Sequence, residues 1–315
     1  MAHKLRIAII GAGMAGLTCA RKLAQAGFAV SIFDKARGPG GRLSSRRRDG
    51  LTFDLGAQSF DATSAPFKQA CRSWVDSGWL GAWPQPGHWV GKPRMSALTR
   101  QLATDLNLYV GQRIIRLDRV GDAWQLVTGS GQAFGPFDQV LLATPAAQAL
   151  PLIEPHSTLA QACLKAVEVD PLWVAYWVLA EPLAVEARRS ASQNLRRCEC
   201  LNHKPEQNTT AQRWVVEATT DWSWSHLETP ADQVAELLFA QWQAQFGAAG
   251  AQSQPVLLEA HRWLYGVTRH PVGQPCFYDH SLGLGLCGDY WCGSRVEDAW
   301  HSGDALGDRL LSELK

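Results

Sequence analysis

The chain has 315 residues, 30 Lys and Arg against 29 Asp and Glu, and 46% hydrophobic residues. A net charge of +1 excludes the basic footprint that binds nucleic acid or an anionic membrane surface, and the length suits a full core divided into two domains. Glycines and the Arg21-Lys22 pair interrupt the apolar opening, so it reads as neither signal peptide nor membrane span, and a soluble cytoplasmic protein is expected.

Residues 5–10 form an apolar strand that runs into Gly11-Ala-Gly-Met-Ala-Gly16. A helix over residues 14–26 follows, with Leu17, Ala20, Leu23 and Ala24 on one face and Gly27 as its stop. A second strand, 29–33, ends on Asp34. This order builds a phosphate cradle and then a ribose hook. Gly11 permits the tight turn, Gly13 lets the backbone approach a pyrophosphate, and Gly16 allows helix and strand to pack closely. Met14 and Ala15 open the helix, whose N-terminus presents free N–H groups and a partial positive charge to a diphosphate. Asp34, with Lys35 after it, is placed to accept hydrogen bonds from a ribose.

Residues 36–60 form a glycine-rich, basic loop, Arg37-Gly-Pro-Gly-Gly-Arg-Leu-Ser-Ser-Arg-Arg-Arg48, that leads into Phe53-Asp-Leu-Gly-Ala-Gln58. Beside the cradle, Gly41 and Arg42 suit diphosphate neutralisation, and Arg46 to Arg48 read as solvated. Helices are expected over 63–78 and 95–106, the second with Leu98, Leu102 and Leu106 at helical spacing. Short strands follow around 109–117 and 124–128. Asp138-Gln-Val-Leu-Leu-Ala-Thr-Pro145 is then a buried parallel-type strand, ending at the edge where an α/β fold binds ligand.

From about residue 160 to 265 the pattern changes to a second, α+β unit. Residues 171–180 are continuously apolar, 213–219 alternate, and 256–265 form another strand candidate. Thr229 is expected to cap a helix completed by Asp232, with Val234, Leu237, Leu238 and Trp242 as its buried stripe and Gly247 as its end. The C-terminus returns to the opening unit. A strand ends on Gly288-Asp289, Ser294-Arg-Val-Glu297 reads as a capping box, and Gly303 and Gly307 let the last helix pack tightly.

The eight cysteines lack zinc-site spacing, Cys198-Glu-Cys200 and Cys287…Cys292 being the only close pairs, and read as buried or idle thiols; no metal is expected. Four of the 14 tryptophans lie between Trp74 and Trp89 and seven between Trp173 and Trp263. They fit either a core rich in aromatics or a cavity walled with flat faces for a planar ligand.

Gly11-Ala-Gly-Met-Ala-Gly16, Asp34-Lys35, Gly40-Gly-Arg42, Asp54-Leu-Gly-Ala-Gln58, Leu142-Ala-Thr-Pro145 and Gly288-Asp289 together resemble the FAD-dependent amine oxidase superfamily, and within it the renalase-like proteins. The resemblance implies a Rossmann-type FAD-binding domain over 1–80, 95–160 and 266–315, with an inserted α+β substrate domain over 81–94 and 161–265. It implies that Asp34 binds the adenosine ribose, Ala15 and Arg42 the diphosphate, and Ile114 the adenine through its backbone. Asp289 would hold the ribityl or diphosphate region, with Val296 and Glu297 under the flavin's pyrimidine edge. Gln58, Ser59, Met95 and Ser96 would border the isoalloxazine. Reduction leaves negative charge near that pyrimidine edge, which a capped helix N-terminus would stabilise.

Amine oxidases of the superfamily commonly carry a lysine near flavin N5. Its place falls near Val174, and no lysine lies between Lys165 and Lys204. A renalase-like activity needs none. Its substrate is a dihydro-NAD(P) isomer with hydride on the wrong nicotinamide carbon, and its products are NAD(P)+ and hydrogen peroxide from O2. Gln58, Trp291 and His270 are the candidate catalytic residues, with Trp89, Tyr176, Trp263 and Tyr265 as further substrate-site candidates. An amine or porphyrinogen-type oxidase, or a flavin-bound protein without turnover, are the competing readings. A conventional NAD dehydrogenase fits the opening motif but not Gly40-Gly-Arg42 or Gly288-Asp289.

Overall fold

A six-stranded sheet carries the opening motif in this computed structural model, which describes residues 4–183, 188–189, 192–206 and 209–314. Strand Arg6–Ile10 lies between Ala29–Asp34 and Gln139–Leu142, all parallel. Asn107–Val110 extends the sheet beyond Ala29–Asp34, and Leu284–Leu286 extends it beyond Gln139–Leu142, again in parallel. Phe277–Asp279 closes the edge antiparallel. Parallel strands of this kind are buried on both faces, which is why they read as apolar runs. Ile7, Ile9 and Leu141 face helices Met14–Gln25 and Val296–Glu313. Ala8, Ile10, Val140 and Leu142 face the other way, where they join Leu117, Trp124 and Leu126 of a three-stranded antiparallel sheet.

Gly303 explains the close seating of the last helix. A β-carbon there would stand 2.1 Å from the Ala15 carbonyl oxygen, so only glycine lets this helix lie against the one that opens the cradle. The expected 95–106 helix ends earlier, as Met95–Leu102, and Leu106 follows in a turn. The segment expected as strands around 109–117 divides between two sheets, Asn107–Val110 in the parallel one and Ile114–Val120 in the antiparallel one.

The second large sheet is antiparallel, in the order Arg188–Arg189, Leu195–Cys200, Arg213–Ala218, Glu168–Leu179, Pro255–His270. Its two faces do different work. Trp173, Ala175 and Trp177 share one face with Trp214 and Val216, against Val234, Leu238, Phe239 and Trp242 of helix Ala231–Gln245. Trp177 and Trp242 meet edge to face at 5.2 Å, as do Trp214 and Trp242 more obliquely; such aromatic pairs add ~0.5–1.5 kcal/mol beyond area burial. Most tryptophans of this segment therefore form a core rather than a ligand cavity. The opposite face carries Leu172, Val174, Tyr176 and Val215 and packs on Phe53 and Leu55 of the first unit.

Several local expectations shift. Arg213–Ala218 is buried on both faces, being an inner strand, so its alternation is not between core and water. Strand Pro255–His270 runs unbroken through residue 265, one end in the substrate sheet and the other beside the Gly288-Asp289 turn. Pro230, not Thr229, is the N-cap residue of helix Ala231–Gln245, the Thr229 N–H bonding back to the His226 carbonyl. Leu237 is exposed on that helix. The last helix caps one residue later than expected: Arg295 is its N-cap, and the Asp298 carboxylate accepts the Ser294 and Arg295 N–H groups.

Candidate functional site

The three glycines of the cradle divide their tasks. A β-carbon at Gly11, where φ is +110°, would stand 2.7 Å from the Ala143 carbonyl oxygen, and one at Gly16 would stand 2.1 Å from that of Gly11. Both are needed for backbone to approach backbone. At Gly13 nothing lies within 4 Å of the β-carbon position, so its face is open to a ligand. The Asp34 carboxylate accepts the Ala12 N–H at 2.7 Å and the Ala36 N–H at 2.8 Å, locking the turn. Each oxygen keeps lone-pair capacity for a ribose hydroxyl.

The second glycine motif is laid on the first. The Gly40 N–H donates to the Ala12 carbonyl at 2.9 Å, and a β-carbon at Gly41 would lie 3.4 Å from Gly13 Cα. Arg42 pairs with the buried carboxylate of Asp289 and donates to the Gly266 carbonyl at 3.3 Å. Bonds from the Gly111 and Gln112 N–H groups to Ala36 and Asp34 bring the chain toward Ile114 beside the ribose acid. Thr144, on the turn after Gln139–Leu142, has a buried hydroxyl oxygen with no partner. The open Gly13 face, the partly exposed guanidinium and this orphaned hydroxyl converge at one end of the parallel sheet, where α/β folds bind nucleotides. The donor set fits the diphosphate and ribityl groups of FAD.

Arg42→Lys keeps a charge but not the planar fork that reaches Asp289, Gly266 and a phosphate together. It is expected to weaken FAD binding about tenfold, the lower end for a hydrogen bond to a charged group. Flavin-fluorescence titration of apoprotein measures this, and an unchanged affinity would remove Arg42 from the phosphate site.

Other expected site residues fall in different places. Lys35 reaches outward to Gln148. Glu297 is 1% exposed, and its carboxylate accepts from Thr63 N–H and Oγ1 and from Ser64 N–H at 2.7–2.9 Å. Burial opposes its ionisation, but these hydrogen bonds outweigh it and hold the pKa down at about 2. Its side chain thus joins two helices and is not turned to a ligand; half-buried Val296 precedes it at the helix start. Trp291 is fully buried in the cluster with Ile10, Leu142 and Tyr290, so its ring belongs to the core of the parallel sheet. His270 is exposed at the end of its strand and pairs with Glu168 at 2.9 Å. Pro271 follows directly after the strand's end.

Gln58 is brought to the junction of the two sheets, yet it is fully buried and presents no surface to a substrate. Its side-chain nitrogen donates to Glu217 at 3.3 Å, and its backbone carbonyl accepts from Lys204 at 2.7 Å. Lys204 also pairs with Asp54 at 2.7 Å, and Asp54 takes the Met95 N–H at 3.2 Å. Met95 is fully buried, the Ser96 N–H donates to Ser45 Oγ, and Ser59 Oγ lies 3.4 Å from His88 Nδ1. Trp263 donates to the Leu55 carbonyl at 2.9 Å, and the Tyr176 hydroxyl bonds Glu259 and Arg46. Trp89 pairs with Phe60 and is half-buried, as is Tyr265. Glu217 and Lys204 were missed from the sequence. A glutamate inside an apolar six-residue strand was a usable signal for the first; nothing local marked the second.

These features define a dinucleotide-binding flavoprotein. Residues 9–74 match the NAD(P)-binding Rossmann-like domain, and residues 79–310 match the family described as flavin containing amine oxidoreductase. The chain belongs to this family, with FAD as its cofactor. It is 51% identical over 51 residues to the zeta-carotene-forming phytoene desaturase of Myxococcus xanthus, and 46% identical over 52 residues to a 4,4'-diapophytoene desaturase of Staphylococcus aureus. Each match covers 16% of this chain, and the chain spans a tenth (10%) of the length of these curated relatives. A triple mutant of putrescine oxidase superimposes with a TM-score of 0.73 at 12% identity, over 98% of this chain and 100% of that one. An Exiguobacterium protein described as a protoporphyrinogen oxidase gives 0.71 at 14% identity, over 99% of both chains. At these identities the likeness is one of fold.

Proposed function

We propose that this protein is a renalase-like flavin oxidase acting in the cytoplasm on dihydro-NAD(P) isomers that carry hydride on the wrong nicotinamide carbon. The observation that carries the reading is the composition of the substrate sheet around Val174, on the face that packs toward the first unit. Val174 stands between His261 and Glu217 on the neighbouring strands. Burial, with Arg46 nearby, pushes His261 down to about 4, so it is neutral near pH 7. No ammonium stands in this row, and Lys204, in the adjoining turn, is committed to Asp54 and the Gln58 carbonyl.

A dihydronicotinamide that gives up hydride becomes an aromatic cation and has no further proton to lose, so its oxidation requires no base from the protein. When bound, FAD supplies the two-electron acceptor that O2 reoxidises, with O2 leaving as hydrogen peroxide. The chain's own part is to grip the cofactor through Gly13 and Arg42 and to turn the start of helix Val296–Glu313 toward developing negative charge.

The test is anaerobic mixing of the yellow protein with dihydronicotinamide isomers and, separately, with primary and secondary amines. The isomers are expected to bleach the visible flavin band, and air to restore it with formation of peroxide. Bleaching by an amine but not by the isomers would overturn the proposal in favour of amine oxidation. Bleaching by neither would overturn it in favour of a flavin-bound protein without turnover.

A further inference from the structure

Gln58 is gripped at both ends by the substrate sheet. The turn Leu201–His203 leaves strand Leu195–Cys200 and delivers Lys204, whose ammonium donates to the Gln58 carbonyl and to Asp54. From the adjacent strand Arg213–Ala218, Glu217 accepts the Gln58 side-chain N–H. All four residues are buried: Asp54 2% exposed, Gln58 0%, Lys204 5% and Glu217 4%. The loop they hold lies directly on the cofactor motif. The Ala57 N–H donates to the Arg42 carbonyl at 2.9 Å, and a β-carbon at Gly56 would stand 1.8 Å from that oxygen.

We infer that Lys204 and Glu217 are positioning residues for the proposed oxidation, fixing Gln58 so that the 55–59 loop is held against Arg42 and the flavin at the distance the reaction needs. The inference rests on the reading of the protein as a flavin oxidase. Lys204 cannot be a catalytic group in this arrangement. Two of its three protons go to Asp54 and Gln58, and Trp83, with its ring centroid 5.7 Å from the ammonium, covers it. Glu217 is similarly engaged, with Arg196 and Arg197 at 3.8 and 3.9 Å from its second oxygen. The Gln58 side-chain oxygen has no partner although it is buried. An unpaired buried acceptor is unfavourable, and the contacts at the Gln58 side-chain nitrogen and backbone carbonyl offset that cost.

Lys204→Met leaves Asp54 charged and without its ammonium partner, so the informative variant is Lys204→Met with Asp54→Asn. Replacing both members of a buried ion pair by neutral groups of similar size is commonly near neutral for stability, and asparagine keeps an acceptor for the Met95 N–H. Glu217→Gln is the second variant, which keeps shape and removes charge. Each is purified loaded with FAD and compared with wild type by melting temperature, by visible circular dichroism of the bound flavin without substrate, and by kcat and KM for a dihydronicotinamide isomer. The expected result is a retained flavin and fold, an altered flavin dichroism, and a kcat lowered about 10- to 100-fold with KM within about twofold, as for a misplacement near 1 Å. Wild-type dichroism in both variants overturns the inference, with or without turnover. Should wild type not oxidise the isomers, the proposed function fails while the dichroism still decides the positioning role. A variant that loses kcat but keeps the wild-type dichroism also overturns it.

Discussion

Gly16→Ala should leave the protein without flavin and markedly less stable, whereas Gly13→Ala should keep the fold and lose only affinity. The difference comes from what each added methyl meets. At position 16 it would stand 2.1 Å from the Gly11 carbonyl oxygen and 3.0 Å from the Ala143 side chain. Neither can withdraw, because Gly11 is in the turn and Ala143 follows the central strand Gln139–Leu142. Overpacking of this kind costs ~3 kcal/mol, which for a chain of this size corresponds to a melting temperature lower by about 4 to 5 °C. At position 13 the methyl meets no protein atom within 4 Å. It would fill the space through which the backbone reaches a diphosphate, so FAD affinity is expected to fall by about tenfold or more with little change in apoprotein melting. Thermal unfolding of both apoproteins and a flavin titration measure the two effects. A Gly13→Ala protein that binds FAD like wild type would show that the diphosphate does not lie over the cradle.

Glu297→Gln should produce the other large change, this time in the acid limb of stability. Burial disfavours the Glu297 carboxylate, but hydrogen bonds from Ser64 and Thr63 overcome it and lower its pKa from 4.5 to about 2. Because the folded value lies below the unfolded one, the stabilisation is complete above pH 4.5 and disappears as pH falls toward 2. The depression corresponds to about 3 kcal/mol at neutral pH. Glutamine cannot accept as well from all three donors and carries no charge for the first turn of helix Ala65–Asp76. Urea unfolding at a series of pH values is expected to show a variant weaker by about 2–3 kcal/mol at pH 7 and flatter between pH 4.5 and 2. Parallel curves for variant and wild type over that range would refute the assignment.

The cofactor half was legible because its determinants are local. The strand, the three glycines, the helix and Asp34 follow one another in the chain, and each element's residues state its geometry. Arg42 and Asp289 were each identified, although the ion pair between them was not. The substrate half was less legible. The spacing of Trp173 and Trp177 puts them on one face of a strand, but the sequence does not say which face of the sheet meets helix Ala231–Gln245 and which meets Phe53. Trp291 falls on a segment expected to reach the flavin face, yet its ring turns back into the core of the parallel sheet. Lys204 gave no signal because its partners, Asp54 and Gln58, lie 150 and 146 residues away. Contacts of that range belong to the packing of two sheets, which no window of sequence contains.

The pairing of Arg42 with Asp289 spans 247 residues, and helix Met14–Gln25 meets its neighbour only when Gly303 has been made. At ~5–20 residues per second, about 12 to 50 s separate the emergence of the two halves of the groove from a ribosome. During synthesis the nascent chain therefore carries a cradle with one wall missing. Capture of FAD then waits for Asp289 to be made, and a chain stalled before helix Val296–Glu313 is expected to stay colourless.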